Sequence, residues 1–292
     1  MTERLADITA RLEGINQLGA VVNAMRGIAA ARAQLARGQL AAVDLYAGTI
    51  ATAIGRVLDL LPSPPPGAAT HRPRTALVAF CAEQGFAGGF SERIFNAMSA
   101  DLASDPGDTE LFLIGSRGAM VAAERNIAVA WKNAMPSHSP GVPALADRIA
   151  EALYARITAG TIDRLDVIFT NWQPGPGIAI ERRRLFPYDW SEFARPTADR
   201  NPPLVNLAPS ALLGELAAAY LHARLCNAAL HAFAAENEAR MEVMAAAHSQ
   251  IDRQLAALQA TQRQVRQEEI TAEIIELASG EIASQAGPAN SF

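Results

Sequence analysis

Between Pro209 and Pro288 the chain contains no proline, and its apolar residues recur with the repeat of a helix that packs against another helix. Counting in sevens from Leu230 gives Asn237, Met244, Ile251, Leu258 and Val265 on one row, while Phe233 leads to Met241, His248, Leu255 and Gln262 on the next. Gly214 and Gly280 stand near the two ends, so nothing inside stops or kinks the helix. At 1.5 Å per residue the stretch from Ala208 to Ser284 reaches ~115 Å. A helix of that length needs a companion.

The first 61 residues supply one. Leu5, Ile8, Leu12, Ile15, Leu18, Val22, Met25 and Ile28 recur at intervals of three and four. The stripe then thins into alanines, continued by Leu35, Leu40, Tyr46, Ile50, Ile54 and Leu58. Internal glycines, Gly14 and Gly19 among them, each weaken an isolated helix by up to ~1 kcal/mol. This helix therefore depends on packing, and small residues let a second backbone come close. A first helix of ~90 Å leaves part of the second unaccompanied. The apolar register agrees, changing after Val265 to Ile270, Ile274, Ile275, Leu277 and Ile282, side chains that need a surface on another protein.

Between the helices the pattern changes. Leu61-Pro-Ser-Pro-Pro-Pro-Gly67 reads as a stiff linker. Strands are expected at Thr75 to Cys81, Glu110 to Ile114, Ile127 to Trp131, Leu165 to Thr170 and Ile178 to Phe186. Helices are expected at Ser91 to Leu102, Gly118 to Arg125 and Ala144 to Ala159. Alternation of this kind implies an α/β layer domain with a mostly parallel sheet. The fold class is thus an α/β insert domain carried on a long antiparallel two-helix coiled coil: residues 1–61 and 208–284 form the coil, 74–186 the Rossmann-like insert, 187–207 a connection and 285–292 a tail.

Chemistry-bearing motifs are few. Glu83 to Phe90 lies where a phosphate-cradling turn would sit, but Gly85, Gly88 and Gly89 do not give G-x-G-x-x-G. A tight turn with close helix approach is the favoured reading there and at Ile114-Gly-Ser-Arg-Gly118. His222 and His231 lie nine residues apart, His248 falls on the helix seam, and no metal-site or nucleophile-elbow spacing occurs. No cofactor, metal or catalytic residue is expected. Net charge is −5 and the only lysine is Lys132, which gives no electrostatic case for nucleic acid. Cys81 and Cys226 read as small buried thiols. No run of about 18 uncharged apolar residues occurs, so membrane association is expected only through partners.

Three regions together resemble the γ subunit of the F-type ATP synthase. Arg266-Gln267, Ile270-Thr271, Glu273 and Glu276 to Gly280 are similar to that family's C-terminal signature, preceded by Glu236, Arg240, Met241 and Met244. Ile8, Arg11, Leu12, Ile15 and the run from Val22 to Arg32 follow its N-terminal segment, and Gly85 to Phe90 stands at its glycine turn. Departures include Glu268-Glu269 after Arg-Gln, Arg26 for a usual lysine, Glu83-Gln84 before Gly85 and a tail from Glu281 to Phe292. The likeness is that of a divergent member, and a second-copy ATPase of the family is one form it takes. It implies a non-catalytic central-stalk rotor inside a hexamer of alternating α and β subunits, with the ε subunit and the membrane c-ring as further partners. It implies peripheral attachment to the cytoplasmic side of a bacterial inner membrane. Arg266, Gln267, Thr271 and Glu273 become candidate contacts with the ring, with Met25 and Arg26 on the facing helix. A nucleotide- or small-molecule-binding α/β protein with a coiled-coil arm, and a non-rotary scaffold, are the alternatives.

Overall fold

The computed structural model describes residues 2–61, 74–99, 102, 109–173, 177–193 and 204–285. In chain order these form α1 (Thr2–Leu58), β1 (Thr75–Phe80), α2 (Phe90–Ala97), β2 (Thr109–Ile114), α3 (Ser116–Glu124), β3 (Trp131–Asn133), α4 (Val142–Thr158), β4 (Arg164–Gln173), β5 (Gly177–Phe186) and α5 (Pro209–Gln285). The proline-rich linker 62–73 and the tail from 286 onward lie outside the described residues. The chain groups into two compact units, Met1–Gly27 with Met244–Phe292, and Ile28–Val243.

In the first unit the start of α1 and the end of α5 run antiparallel. Ile8 and Leu12 are buried with Val265, and Leu5, Leu255 and Leu258 close the cluster. Gln262 Nε2 donates to Thr9 Oγ1 at 3.1 Å. A Cβ on Gly19 would stand 3.3 Å from Ile251 Cγ2, so this glycine admits the isoleucine, whereas Gly14 and Gly27 face open space. Moving up α1 means moving down α5 at every pairing. Met244, Ile251 and Val265, spaced as the heptad row requires, are all buried. His248, on the neighbouring row, is partly buried and faces Asp252 Oδ2 at 3.0 Å.

The second unit is built on a five-stranded sheet in the order β3-β2-β1-β4-β5. The first four strands are parallel and β5 is antiparallel to β4. Because side chains alternate across a strand, each strand feeds two cores. Val78, Phe80, Phe112, Val167 and Phe169 pack with α4, the middle of α5 and Ala36 of α1. Leu77, Ala79, Leu111, Leu113 and Ile168 pack with α2 and α3. Covered on both faces, β1 is an unbroken apolar run from Ala76 to Phe80. Here too α1 and α5 are antiparallel, since Arg37 pairs with Glu238 and Asp44 with Asn227. By length and composition alone α1 could cross a membrane. Its Ala47, Ile50, Ile54, Val57 and Leu58 are instead buried within the protein.

Two local expectations need correction. The third strand occupies Trp131–Asn133 rather than Ile127 to Trp131. Ile127 and Val129 do turn inward against the α2/α3 core, but their backbone precedes the ladder, whose first pairing is Phe112 with Trp131. Inward alternation imitated a strand before pairing began. The short third helix starts at Ser116 rather than Gly118 because the turn at Gly115, with φ +106, ends there and releases the helix. Gly118 lies inside it, where a Cβ would meet Cys81 Cβ at 2.3 Å, the close approach expected of this turn.

Candidate partner-contact site

Near its end α5 loses its companion. The ion-pair contact nearest the start of α1 is Arg4 Nη1 to Glu268 Oε2 at 3.9 Å. Further along, Ile270, Ile274, Ile275 and Leu277 are 52%, 61%, 61% and 69% exposed. Apolar side chains so placed have no stabilising role in the isolated chain.

Arg266, Gln267, Thr271 and Glu273 lie on the same exposed stretch. Thr271 Oγ1 donates to the Gln267 carbonyl at 2.8 Å, which satisfies the hydroxyl within the helix. The side chains of Arg266, Gln267 and Glu273 make no hydrogen bond or ion pair with the described residues. Glu268 accepts from Gln264 Nε2 at 3.1 Å, and Glu269 Oε1 is shielded without a partner among the described residues. These four candidates form one group. Met25 and Arg26 do not join it. Both are partly buried on α1, and Arg26 Nη2 donates to Asn23 Oδ1 at 3.0 Å. Ile8 packs with Val265, so Met25 stands roughly 25 Å along α1 from the level of Arg266.

The second unit holds an arrangement that sequence reasoning did not assemble. Glu236, 3% exposed, aims its carboxylate at the glycine turn and accepts from the backbone N–H of Glu83 at 3.0 Å and Gln84 at 3.1 Å. Arg240 pairs with Glu236 and donates from Nε to the Gly85 carbonyl at 3.1 Å and from Nη1 to Asn237 Oδ1 at 3.1 Å. Glu83 in turn accepts from Ser116 N at 3.0 Å, Ser116 Oγ at 2.6 Å and Met135 N at 2.9 Å. Amides that a phosphate would use at the start of this turn are thus held by a carboxylate of the same chain. Phe86, at φ +61, is left 64% exposed on top. The available signal was Glu236 and Arg240, two charges four residues apart within an alanine-rich run.

Both cysteines are free and buried. Burial is the main cause that pushes each thiol up to about 12, which keeps them protonated.

The family profile described as ATP synthase matches residues 4–283. The chain belongs to the ATP synthase gamma family. It is 28% identical to the ATP synthase gamma chain of Frankia casuarinae, over 98% of this chain and 100% of the relative. Identity to the gamma chain of Moorella thermoacetica is 24%, over 94% and 97%. Its fold is similar to a chain of the Euglena gracilis mitochondrial ATP synthase rotor, with a TM-score of 0.62 at 12% identity, covering 92% of this chain and 100% of that one. A chain of the Tetrahymena thermophila mitochondrial ATP synthase central stalk and c-ring gives 0.55 at 15% identity, covering 78% and 99%. This gamma-family chain is a central-stalk rotor subunit of an F-type ATP synthase. It is a component of an enzyme complex.

Proposed function

We propose that this chain is the non-catalytic rotor that couples ion flow through a membrane ring to ATP synthesis or hydrolysis in a hexamer of α and β subunits. The end of α5 would sit inside the hexamer, and the second unit would meet the c-ring and the ε subunit. The observation that carries this reading is the exposed, unaccompanied end of α5, where Ile274, Ile275 and Leu277 stand open beside Arg266, Gln267, Thr271 and Glu273. A helix end that is not threefold symmetric touches each β subunit of a threefold ring differently. Turning it changes which conformation each β subunit favours, and with that its nucleotide affinity. The chain needs no nucleotide of its own for this, and Glu236 already occupies the turn amides that would cradle one. Met25 and Arg26, at another level of α1, would make a separate contact. Bacterial relatives support a place on the cytoplasmic side of the inner membrane, reached through partners.

Arg266→Glu tests the reading in the reconstituted complex. Coupled ATP turnover should fall at least about tenfold, while the isolated chain keeps its helical circular dichroism. Unchanged coupled turnover would remove Arg266 from the contact.

A further inference from the structure

β5 is an outer strand of the sheet, ten residues long, and pairs on one side only, with β4. Its other side presents backbone N–H and C=O groups that no strand among the described residues uses. Such an edge is a template for a further strand. From Gly177 to Arg184 the pairing runs without interruption, and the single irregularity falls beside Leu165 and Asp166. Natural edges of this length are usually shortened or broken by proline. This one is neither.

Register places Ile180, Arg182 and Arg184 opposite Thr170, Ile168 and Asp166, on the face that β4 shares with α2 and α3. Asp166 is 1% exposed and accepts two bonds from Arg164, at 2.9 and 2.6 Å, and two from Arg182, at 3.0 and 2.7 Å. Three of these bonds end on Oδ2 and one on Oδ1, so Arg164 and Arg182 hold the carboxylate between them. Arg184 is left 3.8 Å from it, 56% exposed and without a hydrogen bond to any described residue. A guanidinium without a hydrogen bond to the described residues therefore stands beside an open strand edge, on the same face as Ile180 at 37% exposure, with Arg182 between them.

We propose that β5 docks an extended acidic segment of a partner chain as a sixth strand, with a carboxylate opposite Arg184 and an apolar side chain opposite Ile180. The backbone edge supplies affinity and Arg184 the charge selection. A second copy of this chain is a poor occupant, since β5 laid antiparallel on β5 over its full length sets Arg184 opposite Ala179 and Ile180 opposite Arg183, which gives Arg184 no carboxylate and Ile180 no apolar partner. A lipid surface offers no backbone to the open edge. This inference does not rest on the rotor reading.

The full-length chain is titrated with the labelled hexapeptide Val-Thr-Glu-Thr-Glu-Thr, which as a strand carries its valine and both glutamates on one face, followed by fluorescence anisotropy and by amide hydrogen exchange across 177–186. Expected are saturable binding, slowed exchange in β5, and affinity about tenfold lower in Arg184→Glu. Arg184→Gln, which introduces no repulsion with Asp166, should show an intermediate loss at unchanged circular dichroism. Unaltered exchange in β5 overturns the proposal, as does equal binding of the same peptide with lysine in place of both glutamates. It is also overturned if phosphatidylglycerol vesicles bind in an Arg184-dependent way while the peptide does not. The arginines would then only guard the edge against self-pairing.

Discussion

Two charged stretches of the same helix, Glu236 to Arg240 and Arg266 to Glu276, look alike in sequence and behave oppositely. In the first, Glu236, Glu238 and Arg240 are almost fully buried, and each is completed by its own chain: Glu236 and Arg240 by each other and by the turn 83–90, Glu238 by Arg37. In the second, Arg266, Gln267 and Glu273 stay exposed with their side chains unpartnered among the described residues, interleaved with exposed isoleucine and leucine. Buried charges stabilise only when their own protein completes them. Exposed ones cost little to leave open, and that leaves them available to another molecule. The same residue types serve a structural joint in one place and a contact surface in the other, and burial separates the two.

The sharpest way to break this contrast is Glu236→Ala, which strands Arg240 in a buried site and removes the acceptor of two turn amides. Urea denaturation should show a loss of about 3–5 kcal/mol. A loss below about 1 kcal/mol would mean that the joint is not structural. Ile251→Ala, in the seam against Gly19, should cost about 2–4 kcal/mol by the same measurement, because a buried isoleucine is truncated next to a helix that cannot fully collapse onto the gap.

Asp166 sharpens the buried side of the comparison through pH. Burial raises its carboxyl, but the hydrogen bonds and charges of Arg164 and Arg182 outweigh that and hold it below the ordinary carboxylate value. A carboxyl depressed in the folded state contributes stability above its unfolded pKa of about 3.9 and gives it up as pH falls through the folded one. Stability should therefore decline below about pH 4, and Asp166→Asn should flatten that part of the denaturation profile. The smallest effect belongs to the exposed end. Leu277→Ser should change stability by no more than about 0.5 kcal/mol, and a larger loss would show that this end packs on its own chain.

Much of the architecture was legible from spacing. The heptad row through Met244, Ile251 and Val265 named the buried seam, and the shift to Ile270 and Ile274 named the exposed end. The alternation of strands and helices gave the layer class, with β3 misplaced because Ile127 and Val129 turn inward without pairing. Candidate contacts were legible as a group only from Arg266 to Glu273. Met25 and Arg26 belong to another level of α1, which follows from the register and not from either segment alone.

Periodicity determined which faces are buried, because a helix repeats its geometry every few residues and a strand every two, so local order carries that information. Helix ends and turns were equally local, written in proline and glycine. Tertiary structure alone decided the strand order, the meeting of Glu236 with a turn about 150 residues earlier, and the pairing of Asp166 with Arg164 and Arg182 that leaves Arg184 without a hydrogen bond at the sheet edge. Whether a charge is completed or left available depends on neighbours brought from far along the chain, and no local repeat encodes that distance.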